Sequence, residues 1–118
     1  MEYYTRKDIS KLTGFTPQSV NLYAKMMVTP DIANPKGKGT KRKYSKSNLR
    51  EFFVIKYLKK CGQTLKQIMQ VIKIMKEHDH VDALISIPVE CGSIRVVYDV
   101  KKILIGAEDI ARNRGYGW

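Results

Sequence analysis

The first 26 residues of the chain contain two short helical segments, which are separated by Gly14 and the Thr16-Pro17 pair that closely follows it. We predict a helix over residues 6–13 that Gly14 ends. Thr16 is a good N-cap and Pro17 suits the first helical position, so a second helix is predicted over residues 17–26. Two short helices joined by a tight glycine turn form the outline of a helix-turn-helix.

A basic segment without periodicity follows the second helix. Residues 29–43 contain Pro30, Pro35, Gly37 and Gly39, which interrupt regular structure. Five basic residues lie in its second half: Lys36, Lys38, Lys41, Arg42 and Lys43. We predict a small basic β-hairpin here, a wing beside the helix-turn-helix; the alternative is a solvated, disordered loop.

Two further helices and a tail complete the chain. Ser45 predicts a helix over 46–60, Gly62 ends it, and Thr64 caps a helix over 65–77. The tail predicts a short extended piece or a loose connection over 83–89, then a helix over 94–113 with Ser93 as its N-cap. An apolar stripe at heptad-like spacing runs along that last helix: Val97, Val100, Ile103, Leu104, Ala107 and Ala111. Such a stripe needs a partner, either the chain's own domain or a second chain.

The predicted fold is therefore mostly α. A winged helix-turn-helix domain of four helices and a small basic hairpin spans residues 1–78, and residues 79–92 form a linker or short extended segment. Residues 93–118 form a C-terminal helix, for which we expect a dimerisation role.

The net charge of +11 lies almost wholly in one half of the chain. Residues 1–60 hold fourteen basic and four acidic side chains, whereas residues 61–118 hold eight and seven. A basic half of this kind attracts polyanions. Nucleic acid is favoured over an anionic membrane surface, because the basic residues lie among turn signals and not along one amphipathic helix.

The same counts exclude several protein classes. No apolar run approaches the length of a membrane span, and the first residues contain no apolar signal core. Cys61 and Cys91 are the two cysteines, with no metal-type spacing between them. We expect a cytoplasmic protein without a cofactor, and not an enzyme, since the sequence has no nucleophile–base pair and no phosphate-binding glycine loop.

In its order of parts the chain resembles the MerR family of winged helix-turn-helix transcriptional regulators, over residues 3 to 77. The residues that carry the resemblance are Tyr4, Thr5, Ile9, Leu12, Gly14, Phe15, Thr16, Val20, Tyr23, Arg42, Lys43, Tyr44, Ser45, Leu58, Gly62, Leu65 and Ile68. The chain departs from the family pattern at Asn21, where Arg is common, and at Ala24 and Met27. The wing has Thr40-Lys41-Arg42 where Gly-Tyr-Arg is usual, so the scaffold carries over better than the base contacts.

The second helix is the segment expected to enter the major groove. Its DNA-contacting set is Thr16, Gln18, Ser19, Asn21, Tyr23 and Lys25. Gln and Asn side chains can bond adenine bidentately, whereas Lys25 suits a phosphate. The resemblance implies a backbone contact for Tyr23, with core packing as the alternative. A polar solvent face is the alternative for the other members.

The wing residues expected to contact DNA phosphates are Lys36, Lys38, Lys41, Arg42 and Tyr44. Such contacts give affinity and register but no sequence choice. Tyr44 either packs the wing onto the domain or bonds a phosphate.

Cys91, His78 and His80 raise the question of a metal, because some MerR relatives bind metal through a cysteine near the start of the dimer helix. One cysteine and a His-Asp-His stretch make a poor site, so no metal is expected. Cys61 stands at an apolar position of the family and is predicted to be buried.

The sequence thus predicts a site-specific regulator that binds double-stranded DNA. The resemblance implies a homodimer on a palindromic promoter site, with the 94–112 helix as its seam and RNA polymerase as a further partner. The alternative is a DNA-bending architectural or excisionase-like factor of phage or plasmid type, which would bind repeated sites cooperatively.

Overall fold

The fold is described from a computed structural model, which covers residues 3–28, 42–77, 84–88 and 93–116. Its elements, in chain order, are α1 (Arg6–Thr13), α2 (Pro17–Met26), α3 (Lys46–Lys60), α4 (Leu65–Glu77), β1 (Leu84–Pro88), β2 (Arg95–Asp99) and α5 (Val100–Asn113). The mostly α prediction is confirmed, and the first four helices have their predicted bounds. Residues 29–41, which hold most of the wing segment predicted over 29–43, lie outside the described residues.

The helix-turn-helix is formed by local capping interactions. Thr5 and Asp8 form a capping box at the start of α1, where the Thr5 amide donates to Asp8 Oδ2 at 2.9 Å. Gly14 ends the helix in the left-handed region with φ +83°. Thr16 then caps α2, with Pro17 at its first position.

The α3–α4 hairpin begins with a second capping box, in which the Ser45 side chain accepts from the Asn48 amide. At the end of α3, Gly62 has φ +85° and its amide donates to the Lys59 carbonyl. The next amide donates to the carbonyl of Leu58, which completes a Schellman motif. Cys61 is the C-cap and is exposed, so the prediction that it is buried is wrong: it lies in the turn and not on the inner face of α3.

A two-stranded antiparallel sheet precedes the last helix. The extended piece predicted over 83–89 is confirmed as β1, but the helix predicted from residue 94 is wrong, because residues 95–99 form β2. The register pairs Ile85 with Tyr98 and Ser86 with Val97. Ile85 and Tyr98 are buried, whereas Val97 is exposed. The β-branched and aromatic run from Val96 to Tyr98 therefore alternates with a period of two.

The last helix begins at Val100, and its N-cap is Asp99 and not Ser93. The Asp99 side chain accepts from the Lys102 amide at 3.2 Å. The helix packs on α3 so closely that a Cβ at Gly106 would overlap the ring of Tyr57.

This packing uses most of the apolar stripe that the sequence assigned to a dimer seam. Val100, Ile103, Ala107 and Ala111 are buried, and Leu104 is half-buried against the same core. The stripe therefore takes the other alternative that the sequence left open, packing on the chain's own domain.

One hydrophobic core joins all of these elements. α3 contributes its largest share: Leu49, Phe52, Phe53, Val54, Ile55 and Leu58. Tyr4 and Tyr44 form a backbone bridge, with N···O distances of 2.7 and 2.8 Å, which holds the start of the chain beside the start of α3. Tyr116 stacks on Phe53, with ring centroids 6.0 Å apart, so the C-terminal segment packs on the same core.

Within the described ranges, none of the helices is long and apolar enough to span a membrane.

Candidate nucleic-acid interface

The second helix presents a mixed surface to solvent. Gln18 and Lys25 are exposed and Asn21 is half-buried, while Val20 and Ala24 on the opposite side contribute to the core. A helix with this division has a free face that can enter a DNA groove.

The sequence reasoning missed Leu22 on the same helix. Its side chain is 46% exposed, next to Asn21 and one turn from both Gln18 and Lys25. An exposed leucine on a polar helix face can contact the methyl group of thymine. A prediction that considers only polar side chains as base contacts does not include such a position.

The hydroxyl groups of Thr16 and Ser19 stabilise the start of this helix. Thr16 Oγ1 accepts from the Ser19 amide at 3.1 Å and donates to Ser19 Oγ at 3.0 Å. Both hydroxyls therefore help to form the N-cap.

Tyr23 is the clearest departure from the predicted contact set. Its side chain is 3% exposed, and its ring packs edge-on against Phe15 with centroids 5.2 Å apart. Its hydroxyl accepts a hydrogen bond from Lys59 Nζ at 2.8 Å. The structure thus selects core packing, the alternative that the sequence left open for this residue.

A cleft of about 340 Å³ lies between the start of α1, the exposed face of α2 and the segment that enters α3. Its lining residues are Thr5, Arg6, Lys7, Asn21, Lys25, Arg42 and Tyr44. We call it the basic cleft, since four of the seven are cations. It brings together four of the predicted contact residues: Asn21, Lys25, Arg42 and Tyr44.

Nothing in the described part of the chain neutralises this charge. Among the described residues, no acidic side chain lines the basic cleft, and none forms a salt bridge with Arg6, Lys7, Lys25 or Arg42. All four are exposed. A concave surface lined by one sign of charge concentrates its field and favours a polyanion.

Arg6 and Lys7 were not among the predicted contacts. Both lie in the first turn of α1, where the partial positive charge of the helix end disfavours cations. That unfavourable placement is the sequence signal that could have found them.

Tyr44 lines the basic cleft with a fully buried side chain. Its ring meets Phe52 edge-on at 5.6 Å, which agrees with the packing role predicted for it. Its hydroxyl is also buried and has no hydrogen-bond partner among the described residues. A buried hydroxyl of this kind is costly unless it is satisfied.

A second cleft, of about 540 Å³, lies where the ends of α3 and α5 meet the helix-turn-helix turn. Its residues are Phe15, Lys56, Lys59, Lys60, Ile110, Asn113 and Arg114. Burial lowers the pKa of Lys56, and the charge of Arg114 lowers it further. The helix-turn-helix thus has cations at this cleft as well as at the basic cleft.

The remaining predicted residues divide between exposed, buried and undescribed positions. Of the predicted dimer residues, only Val97 has an exposed side chain, at 59%, while the others are buried or half-buried. Lys36, Lys38 and Lys41 lie outside the described residues, as do His78, His80 and Cys91. Among the residues that are described, no group of three or more metal-ligating side chains could hold an ion.

Comparison with known families identifies the family of the helix-turn-helix region. A family model described as "MerR HTH family regulatory protein" matches residues 4–74, a span that runs from the start of the Tyr4–Tyr44 bridge into α4. None of the curated proteins matches the chain.

Proposed function

Since the chain belongs to the MerR family of helix-turn-helix regulatory proteins, and is thus a DNA-binding transcriptional regulator, we propose how it reads a specific site. α2 lies in the major groove, with Gln18, Asn21 and Leu22 at the base edges. The basic cleft receives the phosphates of one strand that borders this groove. Base contacts then set the sequence, and phosphate contacts set affinity and register.

The observation that supports this proposal is the position of the basic cleft directly beside the exposed face of α2. Asn21 and Lys25 belong to both surfaces, so a phosphate in the cleft and a base edge at α2 would be adjacent.

Selection from a pool of random double-stranded DNA tests the proposal. We expect the wild-type chain to enrich one motif. Asn21→Ala should change the enriched motif, whereas Arg42→Ala should weaken binding to all sequences alike. Lys101→Ala, on the exposed side of α5, is the matched control for loss of one charge. Absence of any enriched motif, or identical effects of Asn21→Ala and Arg42→Ala, would contradict this division of roles.

We further propose that two chains bind one palindromic site. Most of the stripe predicted as the seam is buried within the chain, so the pairing surface would be the outer face of the β1–β2 hairpin. Val97 and Leu84 are 59% and 69% exposed there, and Ser86 lies opposite Val97. Large exposed apolar side chains of this kind are typical of interaction sites.

Sedimentation equilibrium tests the pairing. The wild-type chain should have the mass of a dimer and Val97→Lys that of a monomer, whereas Lys101→Ala should remain dimeric. A wild-type monomer, free and on DNA, would contradict the palindromic arrangement. Transcription in vitro with purified RNA polymerase tests the remaining partner: the transcript level from a template carrying the selected motif should change when the chain is added.

One observation favours a second candidate, a DNA-bending architectural or excisionase-like factor. α5 packs on α3 of the same chain, so the apolar stripe along it is not available for a coiled coil. A single domain of this kind would bind repeated sites cooperatively and bend them. Circular-permutation gel shifts on tandem motifs would then show a bend, with no effect on transcription from a neighbouring promoter.

A further inference from the structure

We propose that Arg114 is a positioning residue for DNA binding: it fixes the helix-turn-helix turn from outside the family-matched region, without contacting DNA itself. The proposal rests on the DNA-reading role proposed for α2. Arg114 is the C-cap of α5, forty residues beyond the end of the family match at residue 74. It therefore connects a part of this chain that the family match does not include with the end of α1 and the turn that leads into α2.

The contacts of Arg114 are specific. Its Nε donates to the carbonyl oxygen of Leu12 at 2.7 Å, and Nη2 lies 3.4 Å from the carbonyl oxygen of Lys11. The guanidinium group also lies directly against Gly14, so that a Cβ there would be 3.0 Å from it. One side chain thus spans the last turn of α1 and the glycine of the turn.

These two carbonyls need a partner because they belong to the end of a helix. The last four carbonyls of a helix have no intrahelical donor, and a cation is favoured beside them. Of the four in α1, that of Ser10 accepts from the Gly14 amide at 2.8 Å. Arg114 supplies donors to two more.

The turn that Arg114 contacts determines where α2 begins. The Ser10 hydroxyl donates to the Phe15 carbonyl, and the Phe15 amide donates to Thr13 Oγ1 at 3.2 Å. Phe15 directly precedes Thr16, the N-cap of α2. A change at the end of α1 would therefore alter the direction in which α2 leaves the turn.

DNA affinity measured over a range of salt concentrations tests the proposal. Arg114→Ala should weaken binding to the selected motif about three- to tenfold, the size expected for loss of hydrogen bonds to a helix end. The slope of log K against log salt should stay as in the wild type, because no phosphate contact is lost. Arg114→Lys keeps a donor for the Leu12 carbonyl and should recover part of the affinity.

Arg112→Ala is the matched control, since it removes the same charge two residues away. Arg112 pairs only with Glu108 and Asp109 of its own helix among the described residues. Equal effects of Arg112→Ala and Arg114→Ala would overturn the proposal. So would a slope reduced by about 0.9 in Arg114→Ala, which indicates a lost phosphate contact.

Hydrogen exchange on the free protein gives a reading that does not depend on DNA. In Arg114→Ala the amides of Gly14, Phe15 and Val20 should exchange faster than in the wild type, while those of α4 should not change. Unchanged exchange in the turn would overturn the proposal even if DNA affinity fell. If the wild type bound no DNA motif, the proposed function would fail, and this measurement would still decide whether Arg114 fixes the turn.

Discussion

Tyr44 combines two properties that a single substitution can separate. Its ring is buried against Phe52, its hydroxyl is buried without a partner among the described residues, and the residue lines the basic cleft. The ring stabilises the fold, and we propose that the hydroxyl donates to a phosphate that enters the cleft.

Tyr44→Phe should therefore leave the free energy of unfolding unchanged or slightly raised, because an unsatisfied buried hydroxyl is removed. DNA affinity should fall several-fold at all sequences. Thermal denaturation and gel shift measure the two effects.

Tyr98→Phe is the opposite control, because its hydroxyl donates to Gln63 Oε1 at 2.6 Å, at the sheet and not at the basic cleft. That variant should lose about 1 kcal/mol of stability and keep its DNA affinity. A large loss of stability in Tyr44→Phe, with unchanged DNA binding, would show that the hydroxyl has only a structural role.

Tyr116 predicts how stability changes at alkaline pH. Burial, with a further contribution from the hydrogen bond to Tyr4, raises the pKa of Tyr116 from 10 to about 12. Between pH 10 and pH 12 the folded state therefore keeps this proton, whereas the unfolded state has lost it. The contribution of Tyr116 to the free energy of unfolding is complete below pH 10 and is lost as the pH rises to 12. Urea unfolding should show stability falling in that window, and Tyr116→Phe should flatten the fall. An equally steep fall in the variant would contradict this assignment.

At the residue scale, the sequence predicted which residues meet at the candidate site better than it predicted which side chains are exposed. Asn21, Lys25 and Arg42 do meet at one cleft. Tyr23 and Cys61 differ from expectation because exposure depends on the neighbouring elements: α3 places Lys59 over Tyr23, and the Schellman turn exposes Cys61.

At the scale of elements, local signals predicted the four helices that precede the sheet. The bounds of α1 to α4 follow from Thr5, Thr16, Ser45 and Thr64, each of which accepts from an amide three residues on. β2 could not be predicted in this way. Val97 and Val100 fit a helical spacing as well as an extended one, and the choice was made by pairing with β1, which is not local in sequence.

The contact between α5 and α3 predicts that a Gly106→Ala substitution lowers the stability of the protein, the opposite of the usual effect of Gly→Ala in a helix. On an exposed helix, Gly→Ala stabilises by about 1 kcal/mol. Gly106→Ala should instead destabilise the protein by about 1–3 kcal/mol, because its Cβ would overlap the Tyr57 ring and force α5 away from α3.

Chemical denaturation of Gly106→Ala, Tyr57→Ala and the double variant measures this contact. The double variant should be more stable than the sum of the two single effects predicts, since the smaller side chain at position 57 makes room for the methyl group. Additive effects would show that the helices are not in contact at this point.

For the whole molecule, the charge asymmetry of the sequence predicted the class of ligand but not the shape of the surface. Fourteen basic residues in the first sixty could have been distributed over many faces. Folding brings Arg6 and Lys7 of α1 beside Lys25 of α2 and Arg42. The contact between α1 and α2 that brings these cations together cannot be read from composition.

A shared core predicts that the C-terminal segment is needed for folding. Removing residues 93–118 removes β2 and α5, and with them the side chains of Tyr98, Ile103 and Ala107, which are buried in the shared core. The truncated chain should show no cooperative thermal transition by circular dichroism, whereas Ile105→Ala, at an exposed position of α5, should melt near the wild type. A cooperative transition in the truncated chain at the wild-type temperature would contradict a single core.

The link from Arg114 to the carbonyls of Leu12 and Lys11 has a consequence for synthesis. The helix-turn-helix leaves the ribosome before α5 does, and Arg114 follows Leu12 by 102 residues. During translation the end of α1 is therefore present without the donors of Arg114, and it gains them only when α5 has emerged and packed on α3. The order of synthesis thus delays the completion of this helix end until well after α2 itself has been made.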